Sequence, residues 1–234
     1  MLIKSILFNC VFYFSIFLFG ILFLPFLISE RLTRKTVKFW AFIVMFSLEK
    51  IIGVKIIYQN KYIFDKKGYL IAANHQSVFD TIFFLKEFDK VIYVIKKELM
   101  FVPIYGWYAL RLGNIFVNRK ERIKSVKNIS EKVYSYLNKN YKVIIFPEGT
   151  RQIENKIGEM KPGIYAIQKF CNCLVYPIYI SSNQVWPKNT FIKKNKPIRV
   201  KALAPIKFEE RKKEFLAKLK NNLEIENNEY VNKL

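Results

Sequence analysis

Histidine and cysteine are scarce in this chain of 234 residues, and their scarcity excludes several kinds of site. The three cysteines, Cys10, Cys171 and Cys173, are odd in number and give no disulfide framework. Cys171 and Cys173 also have the wrong spacing for a zinc knuckle. We therefore expect small, partly buried thiols in a reducing compartment. A metal site built on His75, the only histidine, and scattered carboxylates has no support, so we expect no metal and no cofactor.

Two common catalytic motifs are missing from the chain. No Gly-x-Ser-x-Gly elbow occurs, and Ser77 stands two residues from His75 without an evident oxyanion loop, so a serine hydrolase is not indicated. No Gly-x4-Gly-Lys-[Ser/Thr] sequence occurs either, which argues against a P-loop nucleotide site.

Acidic residues are few, and the formal net charge of +22 favours an anionic partner. Nucleic acid, a membrane surface and phosphorylated substrates all fit such a charge. The 32 lysines against 8 arginines, together with many Asn, Ile and Phe residues, indicate that a coding bias contributes part of the excess. Charge alone supports nucleic acid, and no reader motif accompanies it, so we expect no nucleic-acid partner.

The N-terminal stretch from Ser5 to Ser29 contains no charged residue and is long enough to cross a bilayer as a helix. A cleaved signal peptide fits poorly, because the apolar run is too long and no Ala-x-Ala pattern follows. A second apolar stretch, Phe39–Leu48, is too short to span. A single span and a re-entrant pair both remain open. Between the stretches lie four basic residues, expected on the cytoplasmic side near anionic headgroups: Arg31, Arg34, Lys35 and Lys38.

After this hydrophobic, membrane-embedded helical segment (residues 1–50), short apolar runs alternate with helical patterns over residues 51–234. This alternation predicts an α/β domain with a largely parallel sheet flanked by helices. Helices are predicted over Glu121–Leu137 and, as a basic C-terminal helix, over Glu209–Asn228. The predicted strands are Val54–Tyr58, Tyr69–Ala73, Val91–Ile95, Ile115–Val117, Val143–Phe146, Leu174–Ile180 and Ile198–Ala202.

His75 and Asp80 flank the point where a predicted buried strand, Tyr69–Ala73, gives way to an apolar helical segment. Five residues of ideal helix turn the chain by about 500°, which would leave the two side chains about 140° apart. They can therefore touch only if His75 lies in the turn and Asp80 in the first helical turn. A carboxylate would then hold one imidazole nitrogen while the other takes a proton. The alternative is a structural histidine, with Asp80 merely favouring the start of the helix.

Polar residues follow three further predicted strands. If the strands are parallel, these residues lie at one edge beside His75 and form an anion site. Arg119 and Arg151 can each fork onto phosphate oxygens, whereas Lys96 acts as a point charge. Gly149 permits close approach of the backbone and leaves amide groups free to donate.

Four sequence blocks together resemble a known family. They are Asn-His-Gln-Ser-x-x-Asp at 74–80, Gly-Asn-Ile-Phe-Val-Asn-Arg at 113–119, Phe-Pro-Glu-Gly-Thr-Arg at 146–151 and Val-Tyr-Pro-Ile at 175–178. Their order and spacing are similar to those of the glycerolipid acyltransferases, in particular the bacterial 1-acyl-sn-glycerol-3-phosphate acyltransferases. The resemblance covers about residues 50–205.

The resemblance implies that His75 deprotonates the sn-2 hydroxyl of lysophosphatidate while Asp80 steadies the imidazole. The alkoxide then attacks an acyl thioester of acyl carrier protein or coenzyme A, with no covalent acyl-enzyme and no metal. The product, phosphatidate, belongs to phospholipid synthesis, and we expect the enzyme at the inner (cytoplasmic) membrane with its active site facing the cytoplasm. Substrate binding falls to Lys96, Arg119, Glu148, Gly149, Thr150 and Arg151.

Two alternatives remain beside this hypothesis. One is an acyltransferase with another lysolipid acceptor, such as a lyso-ornithine lipid or a lysophospholipid, which differs in whether the acceptor must carry a terminal phosphate. The other is a basic membrane-binding protein without catalysis. The intact pair of His75 and Asp80 argues against that second alternative.

Overall fold

The seven predicted strands are all present and form one sheet. The protein is described here from a computed structural model, which covers residues 1–60, 67–118, 124–153 and 156–232. Strand boundaries differ from the predicted ones by at most two residues. The strands are β1 (Ile56–Gln59), β2 (Tyr69–Ala73), β3 (Val91–Lys96), β4 (Ile115–Val117), β5 (Lys142–Ile145), β6 (Val175–Ile180) and β7 (Ile198–Ala202).

The sheet is largely parallel, as predicted, and its strand order is β1-β7-β6-β2-β5-β3-β4. Among the described strands, only β6 and β7 pair in antiparallel fashion, so β1 and β7 run against the other five strands. The central strand β2 is buried over its whole length, because helices cover both faces of the sheet.

The helices form two layers around the sheet. One layer packs α1, α2 and α3 against a first core cluster, and the other packs α5, α6 and α7 against a second. The helices are α1 (Leu2–Leu22), α2 (Glu30–Ser47), α3 (Phe79–Glu87), α4 (Tyr105–Arg111), α5 (Lys124–Asn138), α6 (Gly163–Cys171) and α7 (Lys212–Val231).

Both helices predicted on the second layer are confirmed, with shifted ends. Helix α5 covers the predicted 124–137, while residues 121–123 lie outside the described part of the chain. Helix α7 begins three residues later than predicted and ends three residues later. The sequence spacing predicts Phe215, Leu216, Leu219 and Leu223 on the inward face. Phe215, Leu219 and Leu223 are buried, and Leu216 is half-buried.

The N-terminal segment folds as a hairpin of α1 and α2, which contact each other across a 3₁₀ turn, Leu24–Ile28, that contains Pro25. Among the described residues, α1 is the one helix long and apolar enough to cross a membrane. One side of it nevertheless packs on the domain, where Phe8 and Phe12 each meet the ring of Trp186 edge-on. Its other side leaves large apolar side chains exposed, namely Ile3, Ile6, Tyr13, Phe14, Phe17 and Ile21.

Polar contacts also fix α1 to the domain. The Ser5 hydroxyl accepts a hydrogen bond from the backbone N–H of Lys193 at 2.9 Å. The Asn9 side chain donates to the Phe191 carbonyl, also at 2.9 Å. These contacts and the shared core show that α1 and α2 pack as part of the fold, whereas the predicted division at residue 50 remains a prediction.

Arg34 is engaged by the protein itself. Its guanidinium donates to the carbonyls of Val91, at 2.9 Å, and Leu112, at 2.6 Å. Val91 is the first residue of β3, and Leu112 directly follows α4. Carbonyls at the ends of strands and helices lack a partner within their own element, so another group must donate to them. Lys38 pairs with Asp89 at the surface, and Arg31 and Lys35 are exposed. The expectation that these four residues lie near anionic headgroups remains a prediction, to which the largely buried Arg34 contributes least.

Candidate active site

His75 and Asp80 touch in the geometry that the sequence required. His75 lies in the turn after β2, and Asp80 lies in the first turn of α3. His75 Nδ1 and Asp80 Oδ2 are 3.0 Å apart, and the Asp80 side chain is fully buried. The His75 side chain keeps a small exposed fraction of 17%. The pair thus joins a buried carboxylate to an imidazole that solvent and ligands can reach.

Three further donors hold the Asp80 carboxylate in place. Its Oδ2 accepts from the backbone N–H groups of Gln76, at 2.7 Å, and Ser77, at 2.8 Å. Its Oδ1 accepts from the Ser182 hydroxyl at 2.5 Å. Because an ionised carboxylate only accepts, the proton of neutral His75 is assigned to Nδ1. The other ring nitrogen, Nε2, is then left as a proton acceptor.

The histidine turn is fixed from both sides. The Asn74 side chain exchanges two hydrogen bonds with Ile180, donating to its carbonyl at 2.9 Å and accepting from its N–H at 2.7 Å. The His75 ring stacks on Phe146 at a centroid distance of 4.0 Å, and Phe146 stacks in turn on Tyr93. The imidazole therefore has little freedom to rotate.

Glu148 lies beneath the site and joins two loops. Its Oε1 accepts from the backbone N–H of His75 at 2.9 Å, and its Oε2 accepts from that of Gly158 at 3.1 Å. Burial raises the pKa of this carboxyl to about 7, and the two backbone donors oppose the rise. A Cβ atom at Gly158 would lie 2.4 Å from Gln152 Nε2 and 2.9 Å from Glu148 Oε2, so a side chain there would have to displace the ends of these two side chains. A role of Glu148 in substrate binding remains a prediction.

The polar strand ends meet at one edge, as predicted, because β2, β5, β3 and β4 are parallel neighbours. A cleft of about 750 Å³ opens there beside His75. Arg119 lies outside the described residues. Of the predicted binding residues, the cleft is lined by Lys96, Gly149, Thr150 and Arg151, to which the structure adds Lys161 and Lys188.

A second, apolar cavity of about 380 Å³ opens on the other side of His75. Its walls come from α1, α2, α3 and α4, so it lies beneath the N-terminal hairpin. The basic cleft and this apolar cavity share His75, Leu99 and Arg151. Its lining includes Phe12, Ile16, Phe19, Trp40, Ile82, Leu85, Ile104 and Tyr108.

The family model described as "Acyltransferase" matches residues 55–181, which is more than half of the chain. The chain belongs to the acyltransferase family. The resemblance of the four sequence blocks is thereby confirmed, and all four blocks lie within this matched range.

This acyltransferase is similar to proteins from bacteria and eukaryotes. A 1-acyl-sn-glycerol-3-phosphate acyltransferase of Pseudomonas aeruginosa is 28% identical over 189 residues, which cover 80% of this chain and 74% of that protein. The Saccharomyces cerevisiae protein of the same name is 28% identical over 128 residues, covering 53% of this chain and 42% of its own. The match thus spans less than half of the yeast relative.

The fold also has a solved counterpart. The crystal structure of the 1-acyl-sn-glycerophosphate acyltransferase of Thermotoga maritima superposes with a TM-score of 0.78 and 19% identity, covering 97% of this chain and 96% of that one. The likeness extends across both the hairpin and the sheet. It shows that this acyltransferase has the same fold.

The sequence did not reveal the structural roles of Ser182 and Asn74. Asn74 was noted only as the first residue of its sequence block, whereas its side chain joins the ends of β2 and β6. Ser182 follows β6, which is parallel to β2, so both strands end at the same edge of the sheet. The run Ser181–Gln184 directly after a buried strand was the available signal.

Proposed function

We propose that this acyltransferase moves an acyl chain from an acyl thioester to the sn-2 hydroxyl of lysophosphatidate, making phosphatidate. The donor is a thioester of acyl carrier protein or coenzyme A. The observation that carries the proposal is the position of His75, which lies where a basic cleft and an apolar cavity meet. A lysolipid with a phosphate headgroup presents these two chemistries on either side of one hydroxyl.

His75 acts as the general base in this proposal. Its Nε2 takes the proton of the acceptor hydroxyl while Nδ1–H stays bonded to Asp80. The oxygen attacks the carbonyl carbon of the thioester, and the carbon–sulfur bond then breaks. The departing thiolate recovers the proton from the imidazolium. The buried charge of Asp80 stabilises the imidazolium between these two steps.

The basic cleft supplies the binding of the phosphate. Arg151 and Lys161 both line it, and each can neutralise phosphate oxygens close to His75. Lys188 donates to the Arg151 carbonyl at 3.2 Å and ties the loop of Arg151 to the segment after β6. Arg119 belongs to this set through its sequence block. Holding the acceptor in this cleft converts binding into rate by fixing the hydroxyl beside the base.

The apolar cavity suits a fatty acyl chain. Side chains of α1 and α2 form one wall, so a chain that leaves the bilayer stays in contact with apolar atoms until it reaches His75. The volume of about 380 Å³ matches a single small ligand or part of a long chain. The hairpin therefore has a direct part in delivering lipid to the site.

We place the hairpin in one leaflet of the inner (cytoplasmic) membrane, with the active site on the cytoplasmic side. Helix α1 is held to the domain near both ends, by Lys193 at Ser5 and by the Tyr108 hydroxyl, which donates to the Gly20 carbonyl at 3.0 Å. A helix docked along its length cannot also cross a bilayer core of about 30 Å. This favours the re-entrant alternative over the single span.

An assay of purified protein tests the proposal. Lysophosphatidate, glycerol-3-phosphate, a lysophospholipid and a lyso-ornithine lipid are each combined with acyl carrier protein and coenzyme A thioesters. We expect transfer to lysophosphatidate with at least one donor. Transfer only to an acceptor without a terminal phosphate would show that the basic cleft does not bind the acceptor's phosphate, and the cleft would then be assigned to the acyl donor. Arg119→Ala, assayed in parallel, should raise the KM for lysophosphatidate and leave that for the thioester unchanged.

A further inference from the structure

Five large apolar side chains are exposed together on the segment that runs through the 3₁₀ turn after β3 and through α4. They belong to residues 101–110, which we call the 101–110 patch. A concentration of exposed aromatic and aliphatic side chains on one short segment marks an interaction surface. Their exposed fractions are 76% for Phe101, 43% for Val102, 39% for Tyr105, 47% for Trp107 and 47% for Leu110.

The 101–110 patch is attached to the tip of the N-terminal hairpin. The Tyr108 hydroxyl donates to the Gly20 carbonyl at 3.0 Å, and the Arg111 guanidinium donates to the Ile28 carbonyl. Ile104 packs closely on Gly20: a Cβ atom added at Gly20 would lie 2.5 Å from Ile104 Cγ2. The patch therefore continues the exposed apolar side of the hairpin, which here consists of Phe17, Ile21, Phe26 and Ile28.

A strained turn fixes the shape of the patch. Ile104 has a φ of 63° and a ψ of −63°, which a β-branched residue rarely adopts. The N–H of Tyr105 donates to the Pro103 carbonyl at 2.7 Å, and that of Gly106 donates to the Val102 carbonyl at the same distance. Such a conformation persists only where the surroundings hold it. Here it directs Ile104 into the apolar cavity. Tyr105 lines the cavity with part of its side chain and is 39% exposed, whereas Val102 stays outside.

We propose that the 101–110 patch is a second membrane-contact surface, which inserts into the same leaflet as the hairpin. Its partner is a lipid bilayer with anionic headgroups. Trp and Tyr are the residues that favour the interface between headgroups and acyl chains. The exposed cations Lys96, Lys97 and Arg111 flank the patch and outnumber the one exposed carboxylate beside it, Glu98, which suits anionic headgroups.

The placement has a consequence for the apolar cavity. Leu99, Ile104 and Tyr108 line the cavity from the same segment whose outer side forms the patch. With the patch in the leaflet, the cavity has lipid on both its hairpin side and its α4 side. A lysolipid would then enter between α1 and α4 without crossing water. The choice of lipid as partner rests on the proposed function, although the contact itself is measured independently of activity.

Quenching of tryptophan fluorescence by brominated lipids tests the contact. The full-length chain has three tryptophans, Trp40, Trp107 and Trp186. In vesicles of phosphatidylglycerol and phosphatidylethanolamine with brominated acyl chains, we expect Trp107→Phe to remove most of the quenching seen in the wild-type protein. Quenching that is unchanged in this variant would overturn the proposal.

A matched pair of variants gives the control. In the Trp107→Phe background, Phe101→Trp adds a tryptophan to the patch, and Phe170→Trp adds one to α6 on the opposite layer of the protein. Phe170 is 46% exposed, so both sites are accessible to solvent. We expect bromolipid quenching at 101 and none at 170. Equal quenching at both sites would overturn the proposal. A second result would also overturn it. If, in the absence of lipid, the tryptophan emission of Phe101→Trp shifts to the blue as protein concentration rises, the patch binds a second copy of the chain.

Activity separates this inference from the proposed function. Phe101→Asp should reduce transfer to long-chain lysophosphatidate in vesicles by roughly tenfold relative to Phe170→Asp, because a carboxylate resists insertion. The rate on a short-chain acceptor dissolved in water is the reference. If the wild-type protein transfers no acyl group to lysophosphatidate, the proposed function fails while the quenching result stands. If it transfers normally and position 101 is not quenched, only the membrane contact fails.

Discussion

The backbone N–H of His75 donates to Glu148 Oε1 at 2.9 Å, so the turn that carries the base is held by a carboxylate 73 residues further along the chain. Glu148 also receives the N–H of Gly158 and thereby ties the turn of His75 to the loop after β5. An ionised carboxylate can accept both hydrogen bonds, whereas a protonated one turns one oxygen into a donor. Burial favours the protonated form more than these two hydrogen bonds favour the ionised one, so protonation of Glu148 should stabilise the folded state.

Glu148→Gln should change how thermal stability depends on pH. The carboxyl has a pKa of about 7 in the folded protein, above its ordinary value of 4.5. Between these values the folded state binds more protons than the unfolded state, so stability falls as pH rises. The Tm of the wild-type protein minus that of Glu148→Gln should therefore decrease from about pH 4.5 to about pH 7 and stay constant above. A difference that does not vary with pH would show that Glu148 titrates normally.

Asp80→Asn should lower kcat by about 10³-fold to 10⁴-fold, because an amide in place of the carboxylate favours the wrong tautomer of His75. His75→Ala should leave only background transfer. Steady-state kinetics in one detergent measures both effects, and circular dichroism checks that the variants are folded. Activity of more than a few per cent in His75→Ala would remove histidine from the role of base.

Ser182→Ala should reduce kcat by roughly tenfold, which corresponds to the loss of about 1.5 kcal/mol from a hydrogen bond to a charged group. The hydroxyl donates to Asp80 Oδ1, so its removal leaves that oxygen without its donor. Ser181→Ala is the matched control, since the Ser181 hydroxyl accepts from the N–H of Arg199 and does not contact Asp80. Equal losses of kcat in both variants would indicate a general loosening after β6.

Phe8 and Phe14 separate packing from lipid contact on α1. Phe8 is fully buried, and Phe14 is 63% exposed. Phe8→Ala should cost about 3 to 5 kcal/mol of folding free energy. Phe14→Ala should change stability by no more than about 0.5 kcal/mol but weaken association with vesicles. Thermal melting and vesicle flotation of both variants measure the two effects. Equal destabilisation by both substitutions would contradict the docking of α1 described here.

Local patterns were sufficient for much of the fold. The strands were visible because the central ones are buried on both faces and appear as unbroken apolar runs, of which β2 and β5 are examples. Helix geometry over five residues gave only the condition under which His75 and Asp80 could touch, and the structure meets that condition. The meeting of four strand ends followed from the assumption of parallel strands, which the sheet order bears out.

Contacts between distant residues could not be predicted in this way. Ser182 lies 102 residues from Asp80, and no periodic pattern links the two positions. The burial of Arg34 depends on two carbonyls that only the tertiary fold brings to it. The length and apolar character of α1 suggested a membrane segment, but they gave no sign that one side of the helix packs on Trp186. Composition shows that a segment is apolar, but it does not show which surface the segment will pack against.

Helix α1 is synthesised well before the residues to which its Ser5 and Asn9 side chains bond. Ser5 bonds to a residue 188 positions later, and Asn9 to one 182 positions later. Helix α1 thus leaves the ribosome long before these two partners are made, whereas α2, its other partner, follows it directly. At about 5 to 20 residues per second, some 10 to 40 seconds pass before those partners exist. If the hairpin lies in a membrane as proposed, lipid can cover the apolar side chains of α1 during that interval, and α1 would then dock on the domain from the membrane rather than from water.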